Sequence, residues 1–160
     1  MPIATRGEYW FVKQSKVHGR GLFARTDIPK GATIIEYTGK RMPPDALPDI
    51  DEDDPDAHHT VIFTLEDGWL LDAAQGGNAA QFANHSCHPN CETFEENGRI
   101  FIRALRKISK GTELVYDYHL HLSGRFKKRW LVDYACYCAA RNCRRILLNR
   151  KIPSKYIHLI

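Results

Sequence analysis

The chain has 160 residues, 43% hydrophobic and 26% charged, which is ordinary for a globular protein of a size that forms one domain. No run reaches the length of a membrane span, and the first residues lack the basic start and apolar run of a signal peptide. We therefore expect a soluble cytoplasmic protein with no membrane partner. The five cysteines, an odd number at close spacings, fit metal binding in a reducing compartment better than a disulfide framework.

The formal net charge of +4 is distributed unevenly. Seven acidic residues and no basic ones lie between residues 45 and 56, whereas ten lysines and arginines lie between residues 125 and 155 beside one acid, Asp133. Such runs are most often solvated surface. The acidic loop could instead attract a basic peptide, and the basic stretch could meet nucleic acid or an acidic partner. We rank direct nucleic-acid binding below binding of a basic peptide.

Short strands dominate the first half of the chain. Aromatic and β-branched residues predict strands at 9–13, 32–37 and 60–65, with a further strand at 69–72 that pairs back on the third as a hairpin. Residues 15–24 predict a turn that leads into another strand. Gly19 and Gly21 would let the backbone approach a ligand closely, although this spacing is more often a plain hairpin turn. Residues 42–56 are Pro-rich and acidic and predict an irregular insert.

The second half begins with a turn at 76–78 and one or two helical turns. The Asn97-Gly98 pair lies between alternating segments and predicts a β-hairpin. A strand follows within 108–118. Aromatic residues at intervals of four, Phe126, Trp130 and Tyr134, predict a short helix within residues 123–134. The chain should therefore be mostly β.

Residues 81–91 hold most of the chemically active side chains. Asn84 and His85 offer several hydrogen-bond donors and acceptors for a polar ligand. Near the C-terminus a C-x-C-x4-C cluster supplies three thiols, one short of a tetrahedral zinc site. Either Cys87 or Cys91 would complete it. A metal there would hold the C-terminal segment against Asn84 and His85.

Six motifs in order resemble a SET domain followed by a zinc-binding post-SET segment. They are His18-Gly19-Arg20-Gly21, Glu36-Tyr37-Thr38-Gly39, Asp72 with Gly77-Asn78, residues 84–91, residues 113–118 and the C-terminal cysteines. The resemblance implies several small curved sheets around a pseudoknot, in which residues 84–91 thread beside the strand at 113–118. It also implies S-adenosylmethionine-dependent methylation of lysine in a basic protein or peptide, histone tails above all.

The resemblance divides the chain into four parts: a SET catalytic domain at 1–122 with an acidic insert at 41–60, a connecting helix at 123–135, a post-SET zinc segment at 136–150 and a tail at 151–160. So short a chain is typical of bacterial and viral members. In a eukaryotic or viral source the protein would be nuclear or associated with chromatin.

The resemblance also assigns roles to individual residues. The cofactor would be bound by His18, Gly19, Arg20, Gly21, Asn84, His85 and Tyr137. Tyr118 matches the catalytic tyrosine, Tyr37 another tyrosine of the lysine channel, and Tyr116 the position that tunes the number of methyl groups. One structural zinc ion would be bound by Cys87, Cys136, Cys138 and Cys143, which leaves Cys91 as a buried free thiol.

Three residues depart from the family pattern. Gln81 replaces a usual Arg and Lys40 a common Glu, which should alter local ion pairs. Val61 replaces an aromatic residue that contacts the cofactor in many members.

We expect a mono- or dimethylating enzyme, because a hydroxyl at Tyr116 narrows the space beyond the amine. The alternative is a catalytically silent SET module that binds a basic peptide or partner protein. A third interpretation is a small zinc-stabilised nucleic-acid binder that uses the basic tail.

Overall fold

The computed structural model describes residue 3 and residues 6–46, 62–122 and 124–160. Most of the acidic insert and Val61 lie outside the described residues. The predictions for the insert and for Val61 therefore stay predictions. Among the described residues the strands and the α-helix follow in the order β1 (Trp10–Gln14), β2 (Arg20–Ala24), β3 (Thr33–Tyr37), β4 (Lys40–Met42), β5 (Ile62–Thr64), β6 (Leu70–Asp72), β7 (Asn84–His85), β8 (Cys91–Glu96), β9 (Arg99–Ala104), β10 (Glu113–Tyr116) and α1 (Trp130–Asp133).

The strands form three small sheets, as expected of the SET fold. One sheet has the order β1-β2-β10-β7, the second β3-β9-β8 and the third β4-β6-β5. Short 3₁₀ helices lie at Pro44–Ala46, Ala79–Phe82 and Ser154–Leu159. The mostly β prediction is confirmed. No helix in the described parts of the chain is long and apolar enough to span a membrane.

The hairpin of β8 and β9 forms where the Asn-Gly pair predicts it. Glu96 pairs with Arg99, so Asn97 and Gly98 form a two-residue turn. Their φ angles of 52° and 70° are both positive, as a type I′ turn requires. The hairpin of β5 and β6 is likewise confirmed.

Two apolar clusters stabilise the chain. The larger lies among the sheets and includes Leu22, Ile102 and Leu114, each at most 1% exposed. The smaller joins Trp130 and Tyr134 to Ile146 and Leu148 in the C-terminal segment. The isolated bridge between Leu120 and Leu148 fixes that segment beside the chain that leaves β10.

The predicted connecting helix is short. Among the described residues of this segment, only Trp130–Asp133 forms an α-helix. Gly124, with a φ of 84°, lies in the left-handed region and is not helical. Two of the aromatic residues spaced four apart are nevertheless in contact, because Phe126 packs against Trp130 with ring centroids 5.5 Å apart.

Candidate functional site

The site is organised by the parallel pair of β7 and β10. Val115 lies opposite Asn84, and Tyr116 lies opposite His85. On its other side β10 pairs with β2 through Leu114 and Leu22. Three segments that are far apart in sequence therefore meet, as the resemblance implies: the glycine loop at 18–21, residues 84–85, and the strand that leads to Tyr118.

Asn84 joins these segments through its side-chain amide. Its Nδ2 lies 3.2 Å from the His18 carbonyl oxygen, 3.0 Å from that of Arg20 and 2.9 Å from Glu113 Oε1, so its two hydrogens are shared among three acceptors. Ser15 Oγ donates to the same Glu113 oxygen at 2.7 Å. Because Asn84 is only 7% exposed, these bonds fix the shape of the glycine loop in a largely dry setting.

The two glycines of the loop have different structural roles. Gly19 has a φ of +46°, which L side chains rarely adopt, and a Cβ there would meet no heavy atom within 4 Å. A Cβ at Gly21 would lie 2.5 Å from Glu113 Oε1. The loop thus faces open space at Gly19 and packs tightly at Gly21. A loop of this shape fits the close approach of a small ligand.

Local contacts orient Arg20 in the loop and the side chains of Gln81 and Lys40 outside it. The Arg20 guanidinium lies 3.8 Å from the centroid of the Phe82 ring, an arrangement that orients its side chain. Gln81 donates from Nε2 to the Asn78 carbonyl at 3.1 Å, and Lys40 Nζ donates to Gln75 Oε1 at 3.2 Å. Gln81 and Lys40 thus make local hydrogen bonds.

The three predicted tyrosines are near one another, and an aromatic residue not predicted for the site connects them. The rings of Tyr116 and Tyr118 are 4.9 Å apart. The centroid of the Phe63 ring lies 4.6 Å from that of Tyr37 and 6.3 Å from that of Tyr116. The only signal for Phe63 in the sequence is its place in the strand predicted at 60–65.

All three tyrosines are neutral phenols at physiological pH. Burial raises the pKa of Tyr37, Tyr116 and Tyr118 above the ordinary value for tyrosine, and the neighbouring phenols raise that of Tyr116 further. The Tyr118 hydroxyl donates to the Ala83 carbonyl at 2.9 Å. These neutral hydroxyls can position a substrate by hydrogen bonds.

His85 connects the tyrosines with the cysteine cluster. The backbone N–H of Tyr118 donates to His85 Nδ1 at 3.1 Å, so the proton of the neutral ring is on Nε2. Nε2 lies 3.3 Å from Cys87 Sγ and donates to it. Burial lowers the pKa of His85 to about 4, although the nearby Asp117 acts in the opposite direction. The ring is therefore a neutral bridge.

Four cysteines converge at the end of this bridge. The Sγ atoms of Cys87, Cys136, Cys138 and Cys143 all lie within 4.8 Å of one another. The distances from Cys87 Sγ are 3.8 Å to Cys136 Sγ and 4.0 Å to Cys143 Sγ. A tetrahedral zinc ion with Zn–S bonds of about 2.3 Å requires sulfur atoms about 3.8 Å apart. The cluster can hold one zinc ion.

Backbone N–H groups surround the sulfur atoms. Cys87 N–H donates to Cys138 Sγ at 3.4 Å, and Arg144 N–H donates to Cys87 Sγ at 3.3 Å. Burial acts to raise the pKa of Cys138, but the N–H groups of Cys87 and Ala140, together with the Cys136 and Cys143 thiols, outweigh it and lower that pKa to about 7. Donors of this kind stabilise the thiolates that a zinc ion binds.

Cys91 is the fifth cysteine, and it lies outside the cluster. It begins β8, where it pairs with Ala104, and it is 1% exposed. Burial raises the pKa of its thiol to about 12. Of the two candidates for the fourth ligand, the structure brings Cys87 to the cluster.

Asp117 and Arg144 fasten the C-terminal segment to the end of β10. Both terminal nitrogens of Arg144 donate to the Asp117 carboxylate, at 2.5 and 3.0 Å. Burial acts to raise the pKa of Asp117, but the Arg144 hydrogen bonds outweigh it and lower that pKa. This pair was not predicted, because Asp117 and Arg144 are 27 residues apart with no local pattern.

The remaining predicted residues are more exposed. Tyr137, expected to cover the adenine, is 71% exposed. His18 is also exposed, although its carbonyl accepts from Asn84. An open depression of about 750 Å³ lies between residues 86–88 and residues 138–142. It is lined by Ser86, His88, Cys138, Ala140, Arg141 and Asn142.

Comparison with known proteins agrees with this arrangement. Residues 19–119 match the family model described as "SET domain". The chain is 39% identical over 142 residues to human "Histone-lysine N-methyltransferase 2B", covering 85% of this chain and 5% of that protein. It is 36% identical over 149 residues to "Histone-lysine N-methyltransferase trithorax" of Drosophila virilis, covering 89% of this chain and 4% of that protein.

Human "Histone-lysine N-methyltransferase 2D" is 31% identical over 140 residues, which cover 84% of this chain and 2% of that protein. The chain thus spans at most 5% of the length of these three relatives. The similarity includes almost the whole of this chain and only a small part of each relative.

Proposed function

The chain belongs to the SET-domain family, and from this premise we propose that it is an S-adenosylmethionine-dependent protein-lysine N-methyltransferase that acts on a basic, histone-like tail. The observation that carries the proposal is that the pairing of β7 with β10 places Asn84 and His85 beside the buried Tyr116 and the partly buried Tyr118. Tyr37, also buried, is connected to Tyr116 through the Phe63 ring. The cofactor would bind beside Asn84 and His85, and the substrate lysine would bind among the tyrosines.

The glycine loop would hold the cofactor, with His18, Gly19, Arg20 and Gly21 on one side and Asn84 and His85 on the other. The shape of the loop supports this assignment, because it is open at Gly19 and fixed by Asn84. When bound, S-adenosylmethionine supplies an electrophilic methyl group on a sulfonium. Tyr137 is exposed enough to close over the bound ligand.

The tyrosines would form the channel for the lysine. A lysine amine, with a pKa of about 10.4 in water, must lose its proton before it can attack. Burial among Tyr37, Tyr116 and Phe63 disfavours the charged ammonium and lowers that pKa. Tyr118, fixed by its bond to the Ala83 carbonyl, would orient the neutral amine. Catalysis then comes mainly from positioning and desolvation.

Tyr116 would limit the number of methyl groups added. Its side chain is buried, and its hydroxyl takes up space that a larger amine would need. We therefore propose mono- or dimethylation. Zinc, bound by Cys87, Cys136, Cys138 and Cys143, would have a structural role, since all four positions of its tetrahedron are taken by thiolates.

The substrate class follows from the relatives and from charge. All three relatives are named histone-lysine N-methyltransferases, and histone tails are strongly basic. A protein with this activity would meet its substrate on chromatin or on a similar basic nucleoprotein. The acidic loop at 45–56 would attract such a tail.

The test is calorimetric titration of the zinc-loaded protein with S-adenosylmethionine, alongside methylation of a histone tail peptide followed by mass spectrometry. Asn84→Ala should abolish cofactor binding. Tyr118→Phe should leave cofactor affinity within about threefold and lower the rate by at least about a hundredfold, the scale expected for loss of a positioning group. Absence of cofactor binding by the wild-type protein would refute the proposal and favour a silent SET module.

A further inference from the structure

The basic C-terminal segment surrounds a small aromatic cluster. Phe126 is its centre, with the Trp130 ring 5.5 Å away and the Tyr156 ring 5.7 Å away. The Arg150 guanidinium lies 5.6 Å from the Phe126 centroid and 5.4 Å from the Trp130 centroid. Lys155 Nζ lies 4.9 Å from the centroid of Tyr156. Cations and rings from residues 125–130 and 150–156 are thus brought to one place.

Further cations lie beside this cluster along the chain. Arg125 and Lys127 flank Phe126, Lys128 follows, and Lys151 follows Arg150; these four side chains are exposed. From residue 118 to residue 160 the only acidic side chain is Asp133, and it accepts from Arg129 at 2.9 Å. Arg144 is held by Asp117 and is not part of this surface. Residues 118–160 therefore carry a large excess of positive over negative side-chain charge.

We propose that this surface, formed by Arg125, Lys127, Lys128, Arg150, Lys151 and Lys155 around Phe126, binds the phosphate backbone of duplex DNA. An acidic protein is the other partner that positive charge would attract. Lysine is depleted at protein–protein interfaces, however, and four of the six cations are lysines. Flexible lysines that can reach a regular array of phosphates suit a partner recognised by charge and not by sequence.

The fold places this surface beside the proposed catalytic strand. Leu120, two residues after Tyr118, is bridged to Leu148, and Asn149 N–H donates to the Leu120 carbonyl at 2.8 Å. Arg150 follows at once and donates to the Leu122 carbonyl. If the DNA carried a substrate protein with a basic tail, binding of that DNA at this surface would hold the substrate tail near Tyr118. DNA binding itself requires neither cofactor nor methyl transfer, so it can be tested independently of the proposed function.

The experiment measures binding of a fluorescent 20-base-pair duplex by the zinc-loaded chain across a series of salt concentrations. The test variant carries Lys128→Gln, Lys151→Gln and Lys155→Gln. The matched control carries Lys30→Gln, Lys107→Gln and Lys110→Gln, which remove the same charge from exposed lysines elsewhere. Lysine-to-arginine changes at the three test positions serve as the rescue variant, and zinc content confirms that every variant is folded.

The wild-type protein should bind with a Kd of about 10⁻⁴ to 10⁻⁶ M near physiological salt, the range of non-specific DNA binding. The test variant should bind at least about tenfold more weakly, and its log–log salt slope should fall by about 2 to 3, since each lost phosphate contact removes about 0.9. The control and the arginine variant should stay within about twofold. Equal losses in test and control would overturn the proposal. So would equal affinity for a polyglutamate peptide of matched charge, which would indicate an acidic protein partner.

Discussion

Replacing Asp117 with Asn should weaken zinc binding, although Asp117 is not a ligand. The carboxylate accepts two hydrogen bonds from Arg144, which follows Cys143 of the cysteine cluster, and so holds the cysteine loop against the segment that carries Cys87. Zinc can use all four thiols only when the loop is held there. Loosening the loop therefore reduces the affinity for zinc.

The magnitude follows from the burial of the pair. The Asp117 and Arg144 side chains are 13% and 28% exposed. Removing one partner from a buried ion pair costs about 3–5 kcal/mol, whereas an exposed pair contributes about 0–1 kcal/mol. A partly exposed pair falls between these limits, at about 2 kcal/mol. If this is lost entirely from zinc binding, affinity falls about thirtyfold, at about 1.4 kcal/mol for each factor of ten.

The assay is competition for zinc with a chromophoric chelator. Glu36→Gln is the matched control, because it also changes a carboxylate to an amide in an arginine pair, with Arg99, that is more exposed and outside the cysteine region. Arg144→Gln should lower the affinity for zinc as Asp117→Asn does. The double variant should have a zinc affinity no lower than that of either single variant. A zinc affinity of Asp117→Asn within twofold of the wild-type value would refute the reasoning.

Three further outcomes are expected. Tyr116→Phe should increase the number of methyl groups added to a lysine peptide, and a product mass spectrum identical to that of the wild-type protein would contradict the role given to the hydroxyl. After removal of zinc, four thiols should react with a thiol reagent at pH 8 while Cys91 reacts only in denaturant. At a pKa of about 12, only about one Cys91 in ten thousand is a thiolate at that pH. Five reactive thiols in the folded protein would contradict this. Gly77→Ala should destabilise the protein by at least about 2 kcal/mol, because its Cβ would lie 2.1 Å from the Ala73 carbonyl oxygen. At about 2–4 °C per kcal/mol, thermal unfolding should show a drop of about 4 °C or more, and an unchanged Tm would show that the backbone can shift at no cost.

Features with local causes could be predicted from the sequence. Asn97 and Gly98 supply the positive φ angles of the turn, and the strands around them alternate, so the hairpin follows. The C-x-C-x4-C spacing likewise indicates a metal loop in which three thiols meet. The choice between Cys87 and Cys91 could not be made from spacing alone. It depends on Cys91 beginning β8 with its side chain in the core, and this is a consequence of tertiary pairing.

The helix predicted at 123–134 shows how packing overrides a periodic signal. The aromatic residues at 126, 130 and 134 have helical spacing, yet within residues 124–134 the α-helix is limited to Trp130–Asp133. Trp130 and Tyr134 are buried against Ile146 and Leu148, and Phe126 packs against Tyr156, so contacts with a distant segment determine their positions. Phe63 and Asp117 escaped prediction for the same reason, since their partners are far away in the sequence.

The pairing of β10 with both β2 and β7 has a consequence for synthesis of the protein. β2 can pair with β1 early, but its pairing with β10 through Leu22 and Leu114, and the pairing of Asn84 with Val115, require β10 to have been synthesised. On the ribosome the glycine loop therefore remains without its support until the nascent chain has been extended past residue 116 and released from the exit tunnel. Contacts of such large sequence separation also favour slow folding. A chain truncated before β10 would lack the strand that lies between β2 and β7, so the candidate site is completed late in translation.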